Sequence, residues 1–449
     1  MKIKFILPAL EEAKSPYWRP IKYSLFPPLG LATLASLCDE SDEIEIVDEH
    51  VEEVKLDDIP DLVCIESYIT NSNRAYEIAD EYRRKGVKVV IGGIHATSLP
   101  NEAKKHADSI LLGLGEKSFP KFLKDFREGK NKRIYEQGDV SLENLPLPRR
   151  DLFKNEKYLV PNSMVFSRGC PNKCSFCYVS SFYKGGKSFY TYKIDRILEE
   201  IESMEGKHLY FLDDNIFANT NLSRQVFKEM RGMGRVFQGA ITVESILKDD
   251  TLELAYEAGL RSAFIGFESI NNYNLIQANK KSNIGKNYAE AIKKLDELGI
   301  MINGSFIFGL DNDDLDVFDR TTEWAINSGI TTATNHILTP YPGTAIYDSL
   351  DKSNRIITKN WKMYDTRHLV FTHPNITKDE MEAGYNKAYK DFYKWGNIIK
   401  ASREHEELKM KLKHLTYAGS WKKFEPVWNF LIKNELLSKA RSTLVRTLK

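Results

Sequence analysis

Short apolar segments of strand character alternate with segments of helical period along most of this chain. From residue 2 to about 128 the strand-like segments are IKFILPAL, IEIVD, LVCIES, VKVVIGG and SILLGLG, and helix-like segments such as NSNRAYEIADEYRRKG separate them. This alternation predicts a parallel sheet with helices on both faces. Ligands of such sheets bind beyond the carboxyl ends of the strands, where the glycine pairs of VKVVIGG and GLG fall.

A second alternating series follows NKRIYEQGDVSLENLPLPRRD, a polar, proline-bearing segment typical of a linker. Its strand candidates are SMVFSRG, HLYFLDDN, FQGAITVES, SAFIGFES, INGSFIFG and TATNHILTP, and they predict a partial (β/α)6 barrel. From about residue 375 the pattern is helical. We therefore expect an α/β protein with a doubly wound, flavodoxin-like domain at 1–135, a linker at 136–160, the barrel at 161–374 and a helical C-terminal region at 375–449.

Composition narrows the classes of partner and compartment. Lys plus Arg number 64 against 63 Asp plus Glu, so the net charge of +1 gives no basic field for nucleic acid. The longest apolar runs fall short of the roughly 18 residues that span a bilayer. The N-terminus has no small-residue cleavage site, and the cysteine count of five is odd. We expect a cytoplasmic protein that is not an integral membrane protein.

Three of the five cysteines fall within eight positions, at Cys170, Cys174 and Cys177. The C-x3-C-x2-C spacing can bind three irons of a cubane cluster and leave the fourth iron open to another ligand. A zinc site would need a fourth ligand, and Cys38 and Cys64 lie in the first predicted domain. The third interpretation is that the three cysteines are buried core residues that bind no metal.

The motif CPNKCSFC resembles the cluster motif of radical S-adenosylmethionine (SAM) enzymes. An α/β domain followed by the cluster barrel is similar to the cobalamin-binding members. FPPLGLATLA, GGIHATSLP, RGCPNKCSFC, FLDDNIF, FIGFESI, FIFGLD and ILTPYPGT resemble the branch that contains hopanoid methylases and bacteriochlorophyll side-chain methylases. The resemblance covers essentially the whole chain. It implies three cofactors: a [4Fe-4S] cluster, SAM and cobalamin.

The resemblance also implies a set of SAM-binding residues. The acidic segment after the second barrel strand would bind the methionine amino group, two strand-end glutamates would contact ribose or methionine, and the aromatic and glycine positions would lie near adenine. Helix capping is the alternative for Asn215, a surface ion pair for Glu244 and core packing for Phe176. The set is Phe176, Asp213, Asp214, Asn215, Glu244, Glu268, Gly304 and Gly309.

A second set follows from the similarity of the first domain to corrinoid-binding domains. Glycines there would let the backbone approach a large planar ligand, with ordinary tight turns as the alternative. The sequence GLGE departs from the family's more frequent G-E-G/A-E. We interpret His50, in DEHVEE, as a loop histidine and not a cobalt ligand, because Glu53 replaces the glycine of D-x-H-x-x-G. The set is Pro27, Pro28, Gly92, Gly93, His95, Thr97, Gly113, Gly115 and Glu116.

By resemblance, the reaction would cleave SAM reductively to a 5′-deoxyadenosyl radical, abstract hydrogen from an unactivated carbon and transfer a methyl group from cobalamin, which a second SAM would restore. An enzyme of this architecture that catalyses cyclisation, rearrangement or C–C coupling is the alternative. A non-enzymatic iron–sulfur or corrinoid-binding carrier or sensor would ordinarily close its cluster with a fourth cysteine. The reaction requires no general base, so none is named.

Substrate contacts are expected after the sixth barrel strand, with core packing as the alternative; the candidates are Tyr341, Trp361, Tyr364 and His368. The expected partners are a small, hydrophobic substrate and an electron donor such as a flavodoxin or ferredoxin. Residues 417–449 mix aromatic and basic side chains, among them Trp421, Phe424, Trp428, Phe430 and Leu431. This tail could lie on an anionic membrane surface, or form a docking helix or a solvated face.

Overall fold

The computed structural model describes residues 1–10, 25–138, 141–183, 187–423 and 436–448. Its first sheet has six parallel strands in the order β2-β1-β3-β4-β5-β6. The strands are β1 (Lys2–Leu7), β2 (Glu43–Asp48), β3 (Leu62–Glu66), β4 (Lys88–Gly92), β5 (Ser109–Leu112) and β6 (Ile134–Glu136). The helices of this part among the described residues are α1 (Leu29–Ala35), α2 (Ser72–Arg84), α3 (Ile94–Ser98), α4 (Pro100–Ala103) and α5 (Gly115–Arg127).

Two separate apolar cores cover the two faces of this sheet. One packs α1 and α5 against Phe5, Val90 and Leu111, and the other packs α2, α3 and α4 against Val63 and Ile91. Strands buried on both faces explain why the segments are apolar throughout and do not alternate. The order β2-β1-β3-β4-β5 is that of flavodoxin-like sheets, so the predicted fold is confirmed.

The second sheet also has six parallel strands, in the order β14-β13-β12-β11-β10-β7. It is the predicted partial barrel, and a short antiparallel pair, β8 and β9, leads into the cysteine loop. The strands are β7 (Ser163–Met164), β8 (Ser167–Gly169), β9 (Phe189–Thr191), β10 (His208–Phe211), β11 (Val236–Ile241), β12 (Leu260–Glu268), β13 (Met301–Phe308) and β14 (Thr332–Ile337).

Helices pack on the outer face of this sheet and form its main apolar core. They are α7 (Ile194–Ser203), α8 (Thr220–Met230), α9 (Val243–Lys248), α10 (Thr251–Ala258), α12 (Tyr288–Glu297) and α13 (Val317–Asn327). Outside this core, α6 (Val179–Phe182) packs with Leu114 of the first domain, and α11 (Asn272–Gln277) follows β12. Short 3₁₀ turns occur at Arg150–Leu152, Asn155–Lys157 and Trp361–Met363.

The remaining described helices are α14 (Ala345–Lys352), α15 (Lys378–Phe392), α16 (Trp395–Arg403), α17 (Leu408–Lys423) and α18 (Leu437–Leu448). Thr377 and Glu380 form the capping box that the sequence indicates at the start of α15. α17 and α18 pack against the inner side of the barrel through Met410, Met301 and Leu448. None of the described helices is long and apolar enough to cross a bilayer.

The sequence missed β6, which falls at the start of the segment interpreted as a linker. The strand has three residues and buries only Tyr135, whose ring packs against Phe122. Three residues at a sheet edge are too few to show a period. The domain boundaries stay predictions.

Candidate active site

The three neighbouring cysteines lie on the loop between β8 and α6. β8 ends at Gly169, which has φ +85°, and a Cβ there would lie 2.2 Å from the Ser188 carbonyl oxygen. The Cys170 N–H donates to that oxygen at 3.0 Å. The left-handed glycine and this hydrogen bond fix the path by which the loop leaves the strand.

Cys174 is buried, and Cys170 and Cys177 are partly exposed. Burial raises the pKa of all three thiols, that of Cys177 to about 12. Among the described residues, no three His, Cys, Asp or Glu side chains are placed to share one metal ion. A cubane cluster binds each thiolate through a different iron, so its ligands need not meet at one point.

Asp213, the first carboxylate after β10, bonds within the protein. Its oxygens accept from the Ser167 N–H at 2.7 Å, the Ser167 hydroxyl at 2.5 Å and the Phe166 N–H at 3.2 Å. Burial raises the pKa of Asp213 to about 7, although these hydrogen bonds act in the opposite direction. The structure therefore does not support a contact of Asp213 with SAM: the side chain ties the end of β10 to β8.

Asp214 is the exposed member of this acidic segment. It interacts electrostatically with Arg168 and with the thiols of Cys170 and Cys177. The Asn215 side chain instead accepts from the Phe217 N–H at 3.0 Å, which is a local turn. Of these three side chains, Asp214 is thus the one that faces the cysteine loop.

Glu268 ends β12 in a strained conformation. Its φ is +61°, and the pairing with β13 shifts register between Gly266 and Glu268. The carboxylate is 7% exposed and accepts from the Lys280 ammonium at 2.7 Å. Left-handed backbone at a non-glycine residue concentrates at functional sites. The structure places Glu268 at the barrel mouth, as the sequence predicts.

Lys280 was not among the predicted residues. Burial alone would lower the pKa of its ammonium, but Glu268 and Cys174 outweigh burial and the net shift is upward. The group therefore stays cationic beside the cysteine loop. The only signal in the sequence is the pair Lys280-Lys281 shortly after the Glu268 strand.

Two further predicted SAM residues have other contacts. Glu244 is in the first turn of α9, exposed, and pairs with Lys286 at 3.7 Å. This is the surface ion pair that was its alternative. A Cβ on Gly304 would lie 3.1 Å from the Phe306 ring and 3.2 Å from Ile330, so the glycine makes room for core packing on the outer face.

Gly309 and Phe176 border a second apolar core at the barrel mouth. Gly309 has φ +98°, and its N–H donates to Asp313 at 2.8 Å. A Cβ there would lie 3.3 Å from Met381, so packing alone accounts for this glycine. Phe176 is partly buried against the same core. The adenine contacts of both residues stay predictions.

A cavity of about 630 Å³, counted to its open mouth, lies at the carboxyl edge of the first sheet. It runs between the sheet and helices α1 and α5, and Arg168 and Phe182 close it from the barrel side. Five predicted corrinoid residues line it: Gly92, Gly93, Gly113, Gly115 and Glu116. Sequence reasoning did not single out Gly30, Leu34, Cys64, Glu66 or Phe119, which also line it.

Two side chains outside the cavity lining form hydrogen bonds to the turn at Gly113. The Gly113 N–H donates to the Thr97 hydroxyl at 2.9 Å, and the Leu114 N–H donates to the Gln137 side chain at 3.0 Å. The Gln137 amide nitrogen is buried and has no acceptor in the described part of the chain. A buried donor without a partner is unfavourable, which indicates a ligand or water beside this turn. Thr97 supports the turn and does not line the cavity.

Three other predicted corrinoid residues do not line the cavity. Pro27 and Pro28 immediately precede α1, with the Pro27 carbonyl accepting from the Leu29 N–H. His95 is fully buried on the other side of its loop, 2.7 Å from the Tyr76 hydroxyl and 3.1 Å from Glu102. The reason is the direction of α3, which turns His95 towards α2 and α4. His50 contacts Asp48 at 2.8 Å and accepts from the Leu10 N–H.

Glu116 joins the two halves of the site. It is buried at the start of α5, and Oε1 accepts from two nitrogens of Arg168 at 2.5 and 3.1 Å. Arg168 lies two residues before Cys170, so the ion pair links the first domain to the cysteine loop. The motif RGC carried Arg168, but the sequence assigned it no role.

The predicted substrate residues separate into core and surface. Tyr364 is fully buried and donates to the Thr358 carbonyl, and Trp361 is 7% exposed and donates to Glu102. The structure does not support substrate contacts for these two, because both are committed to packing. Tyr341 is partly buried, and His368 is more exposed and contacts Asp365 at 3.0 Å.

Two family models match the chain. That of the radical SAM superfamily matches residues 164–325, and that of the B12 binding domain matches residues 23–123. The bacteriochlorophyllide d C-12(1)-methyltransferase of Chlorobaculum tepidum is 30% identical over 388 residues, covering 83% of this chain and 84% of that protein. The chain belongs to the cobalamin-binding radical SAM enzymes.

Two further relatives show the range of this family. The hopanoid C-3 methylase of Methylococcus capsulatus is 28% identical, covering 76% of this radical SAM enzyme and 72% of its own length. The anaerobic magnesium-protoporphyrin IX monomethyl ester cyclase of Rubrivivax gelatinosus is 25% identical, and the match covers 72% of this chain and 63% of that protein. The predicted branch, enzyme class and cofactors are confirmed.

A solved structure shares the fold of this radical SAM enzyme across both domains. The radical SAM methyltransferase TsrM from Kitasatospora setae, solved with cobalamin and a [4Fe-4S] cluster bound, superimposes with a TM-score of 0.67. The match covers 97% of this chain and 99% of that one at 14% identity.

The residues present in this radical SAM enzyme fit its cofactors. Three buried or partly buried cysteines on one loop supply the thiolates that a cubane requires. The first-domain cavity has glycines where a side chain would meet the lining: a Cβ on Gly115 would lie 2.8 Å from Leu34, which also lines the cavity. The unpartnered Gln137 donor beside the cavity matches a ligand as rich in amide carbonyls as a corrinoid.

Proposed function

We propose that this enzyme is a cobalamin-dependent C-methyltransferase that acts on an unactivated carbon of a hydrophobic molecule. The observation that carries this proposal is the first-domain cavity, which is closed by Arg168 of β8 and Phe182 of α6, the elements on either side of the cysteine loop. One cavity bounded by both domains would hold the corrinoid against the cluster loop. A substrate at this boundary would be within reach of both cofactors.

In this proposal Cys170, Cys174 and Cys177 hold the cluster. Asp214 accepts hydrogen bonds from the methionine ammonium of SAM, and the Lys280 ammonium pairs with the methionine carboxylate. Glu268, held by Lys280, is positioned to accept from the ribose hydroxyls. The cluster with SAM supplies one-electron cleavage and a hydrogen-abstracting radical, and the corrinoid supplies the methyl group.

For the corrinoid, the backbone at Gly92-Gly93 and Gly113 lets the ring approach the sheet edge. The Gln137 amide donates to one of its side-chain carbonyls. The slot between α1, α5 and the sheet is lined by apolar groups such as Leu34 and Phe119, so it would exclude water from an inserted arm of the ligand.

The test is anaerobic reconstitution of the full chain with iron, sulfide and hydroxocobalamin. We expect about four irons and one cobalt per chain after desalting. Trideuteromethyl-SAM would then be incubated with a panel of hydrophobic candidates that includes chlorophyllides and hopanoids. Transfer of a labelled methyl group to carbon, with release of 5′-deoxyadenosine, is the expected result.

Matched cysteine variants control the iron measurement. Cys174→Ser should lose most of the iron, whereas Cys38→Ser, in the first domain, should keep it. Retention of four irons without cobalt would contradict the methyltransferase proposal. Loss of iron equally in both variants would contradict the cluster assignment.

A radical cyclisation or rearrangement is the second candidate, and the cyclase relative from Rubrivivax gelatinosus favours it. The labelled methyl group separates the two reactions. A product that forms together with 5′-deoxyadenosine but carries no label would indicate the second candidate.

Two partner proposals accompany this function. Reductive SAM cleavage consumes one electron, so we propose a flavodoxin or ferredoxin as donor, tested by its ability to replace a chemical reductant. Residues 400–449 carry twelve Lys or Arg against five Glu, which supports contact with an anionic membrane surface. The tail aromatics at 421–431 lie outside the described side chains. Unchanged liposome binding after deletion of residues 417–449 would contradict the membrane proposal.

A further inference from the structure

The inner face of the barrel sheet carries a row of polar side chains well below the mouth. Side chains alternate between the two faces of a strand. Ile265 and Phe267 of β12 pack outward in the main core, so Ser262, Phe264 and Glu268 point inward. Register aligns Gln238 with Ser262, Phe264 with Asn303 and Asn303 with Thr332 across neighbouring strands.

These residues form one wall of a cavity with room for about 100 Å³ of water centres, or about 620 Å³ when the space out to its open mouth is counted, which we name the lumen cavity. Its opposite wall is mostly apolar and comes from four separate parts of the chain. The cavity is lined by Tyr210, Gln238, Ser262, Phe264, Asn303 and Thr332 from the strands and by Leu25, Phe26, Leu159, Val160, Tyr417 and Leu444 opposite them.

Direct contacts fix the walls relative to each other. The Phe26 and Tyr210 rings lie 4.6 Å apart, and the Gln238 amide donates to the Tyr417 hydroxyl at 3.3 Å. Leu159 and Val160 pack with α18 in a small separate core. α17 and α18 therefore cover the open side of the half-barrel.

Two hydroxyls face the lumen cavity. Ser262 and Thr332 are each 3% exposed, and neither hydroxyl makes a hydrogen bond within the described ranges. Neither oxygen is among the fully enclosed unpartnered atoms of the described residues, so both are open to a ligand that fills the cavity. An apolar cavity with a few convergent polar groups is the usual form of a small-molecule site.

The lumen cavity lies at some distance from the mouth where Glu268 and Lys280 meet. Glu268 is the fourth residue after Phe264 on β12, which is about 13 Å at 3.3 Å per residue. A ligand that fills the lumen cavity and also reaches the mouth must therefore be elongated. One of its ends would be reactive, and its body would lie between a polar and an apolar wall.

We propose that the lumen cavity binds the body of the substrate, a rigid and mostly apolar molecule more than about 13 Å long. A hydroxyl or carbonyl group on its far end bonds to Ser262 and Thr332, which sets the carbon presented at the mouth. This inference rests on the proposed function and assigns Ser262 and Thr332 to positioning and specificity, not to the chemical step.

The test measures binding of prodan, a flat naphthalene with one carbonyl, to the reconstituted full-length enzyme. Its emission reports both burial and hydrogen bonding to the carbonyl. We expect saturable binding of one prodan per chain. Ser262→Phe, which fills the cavity, should weaken that binding at least tenfold. The control Ser349→Phe, on the exposed side of α14, should leave it unchanged.

Two more variants keep the proposal falsifiable if Ser262→Phe fails to retain iron and cobalt. Leu444→Trp fills the cavity from the opposite wall and should also weaken binding tenfold. Thr332→Val keeps the shape and removes one hydroxyl, so bound prodan should emit at shorter wavelength. Equal prodan binding in the wild type and in a folded cavity-filling variant would overturn the assignment.

Activity then separates this inference from the proposed function. In the cavity-filling variant, release of 5′-deoxyadenosine from SAM alone should persist while labelled methyl transfer is lost. Equal methyl transfer in variant and wild type would overturn the lumen cavity and leave the proposed function standing. The opposite outcome is also distinguishable. If the wild type binds prodan, the cavity-filling variant does not, and no methyl group is transferred, the lumen cavity stands and the proposed function is overturned.

Discussion

Gly113 lies between β5 and α5, and its φ of +74° is one that residues with a Cβ rarely adopt. A Cβ there would lie 2.1 Å from the Gln137 side-chain oxygen. We expect Gly113→Ala to lower the free energy of unfolding by about 2–3 kcal/mol and to weaken cobalamin retention.

Gly129 provides the matched control. Its φ is +67°, but nothing lies within 4 Å of a Cβ placed there. Gly129→Ala should therefore cost only the backbone term of about 1 kcal/mol and leave cobalamin bound. Urea unfolding and cobalt content measure both variants, and equal effects would contradict the crowding at Gly113.

His208 should contribute to the acid sensitivity of the fold. Burial lowers the pKa of His208 to about 4 from an ordinary value of 6.5. Below pH 6.5 the unfolded chain binds a proton at His208, whereas the folded chain binds it only when the pH approaches 4. The free energy of unfolding therefore falls as the pH falls. The contribution lost between pH 7 and pH 5 is roughly 1–2 kcal/mol.

His208→Gln keeps a donor towards Gln238 and removes the titration. The variant should lose less stability than the wild type over this interval in urea unfolding under anaerobic conditions. Identical pH slopes would show that His208 is not neutral in the folded enzyme.

Residues with chemically distinctive spacing were predictable, and residues that act through tertiary contact were not. Cys170 could be recognised from its spacing to Cys174 and Cys177. Lys280 reaches the same loop only because β12 ends in a left-handed turn that brings Glu268 to it. Glu244 follows an apolar segment like Glu268, yet it falls in the first turn of a helix because Thr242 and Ser245, on either side of it, form a capping box.

Among the elements, α15 shows how far a local motif determines a helix end. The Thr377 hydroxyl accepts from the Glu380 N–H, and the Glu380 carboxylate accepts from the Thr377 N–H at 2.9 Å. We expect Thr377→Ala to lower the free energy of unfolding by about 1 kcal/mol.

The control for this change is Lys390→Ala, an exposed position near the end of the same helix. It should alter the free energy by less than about 0.5 kcal/mol. Both are read from urea midpoints. A Thr377→Ala midpoint equal to that of Lys390→Ala would mean that α15 is held by packing alone.

Strands longer than four residues were recognised from their apolar runs, whereas β6 was not. The inner face of the barrel was equally hidden. Ser262 and Thr332 look like ordinary strand residues in sequence, and only the register of β12, β13 and β14 places them beside one cavity. Pairing between distant segments is information that no local window contains.

At the scale of the whole molecule, Arg168 and Glu116 link the two sheets. Burial lowers the pKa of the Arg168 guanidinium, but Glu116 outweighs it and the net shift is upward. Glu116→Gln leaves a mostly buried cation without its charged partner. We expect a loss of about 2–3 kcal/mol in stability, a lower cobalt content and more 5′-deoxyadenosine released per methyl group transferred.

The exposed pair of Arg231 and Glu257, 2.6 Å apart, is the control. Glu257→Gln should cost less than about 1 kcal/mol and leave the ratio of products unchanged. Thermal unfolding and product ratios measure both variants. An unchanged product ratio in Glu116→Gln would reduce the ion pair to a purely structural role.

Both sheets were predictable because alternating strands and helices leave few possible topologies. How the two sheets pack against each other was not predictable. Trp361 follows the barrel strands and Glu102 belongs to the first domain, so the two are far apart in sequence and meet only in the folded protein.

The two walls of the lumen cavity are also synthesised at different times. Leu444 follows the end of β14 by about 100 residues, which a ribosome takes roughly 5–20 s to add. During that interval the half-barrel is open on its polar side, with Phe264 and the hydroxyls of Ser262 and Thr332 facing water. A nascent chain stalled before α18 should therefore fail to capture prodan, and capture should begin only once Leu444 has left the exit tunnel.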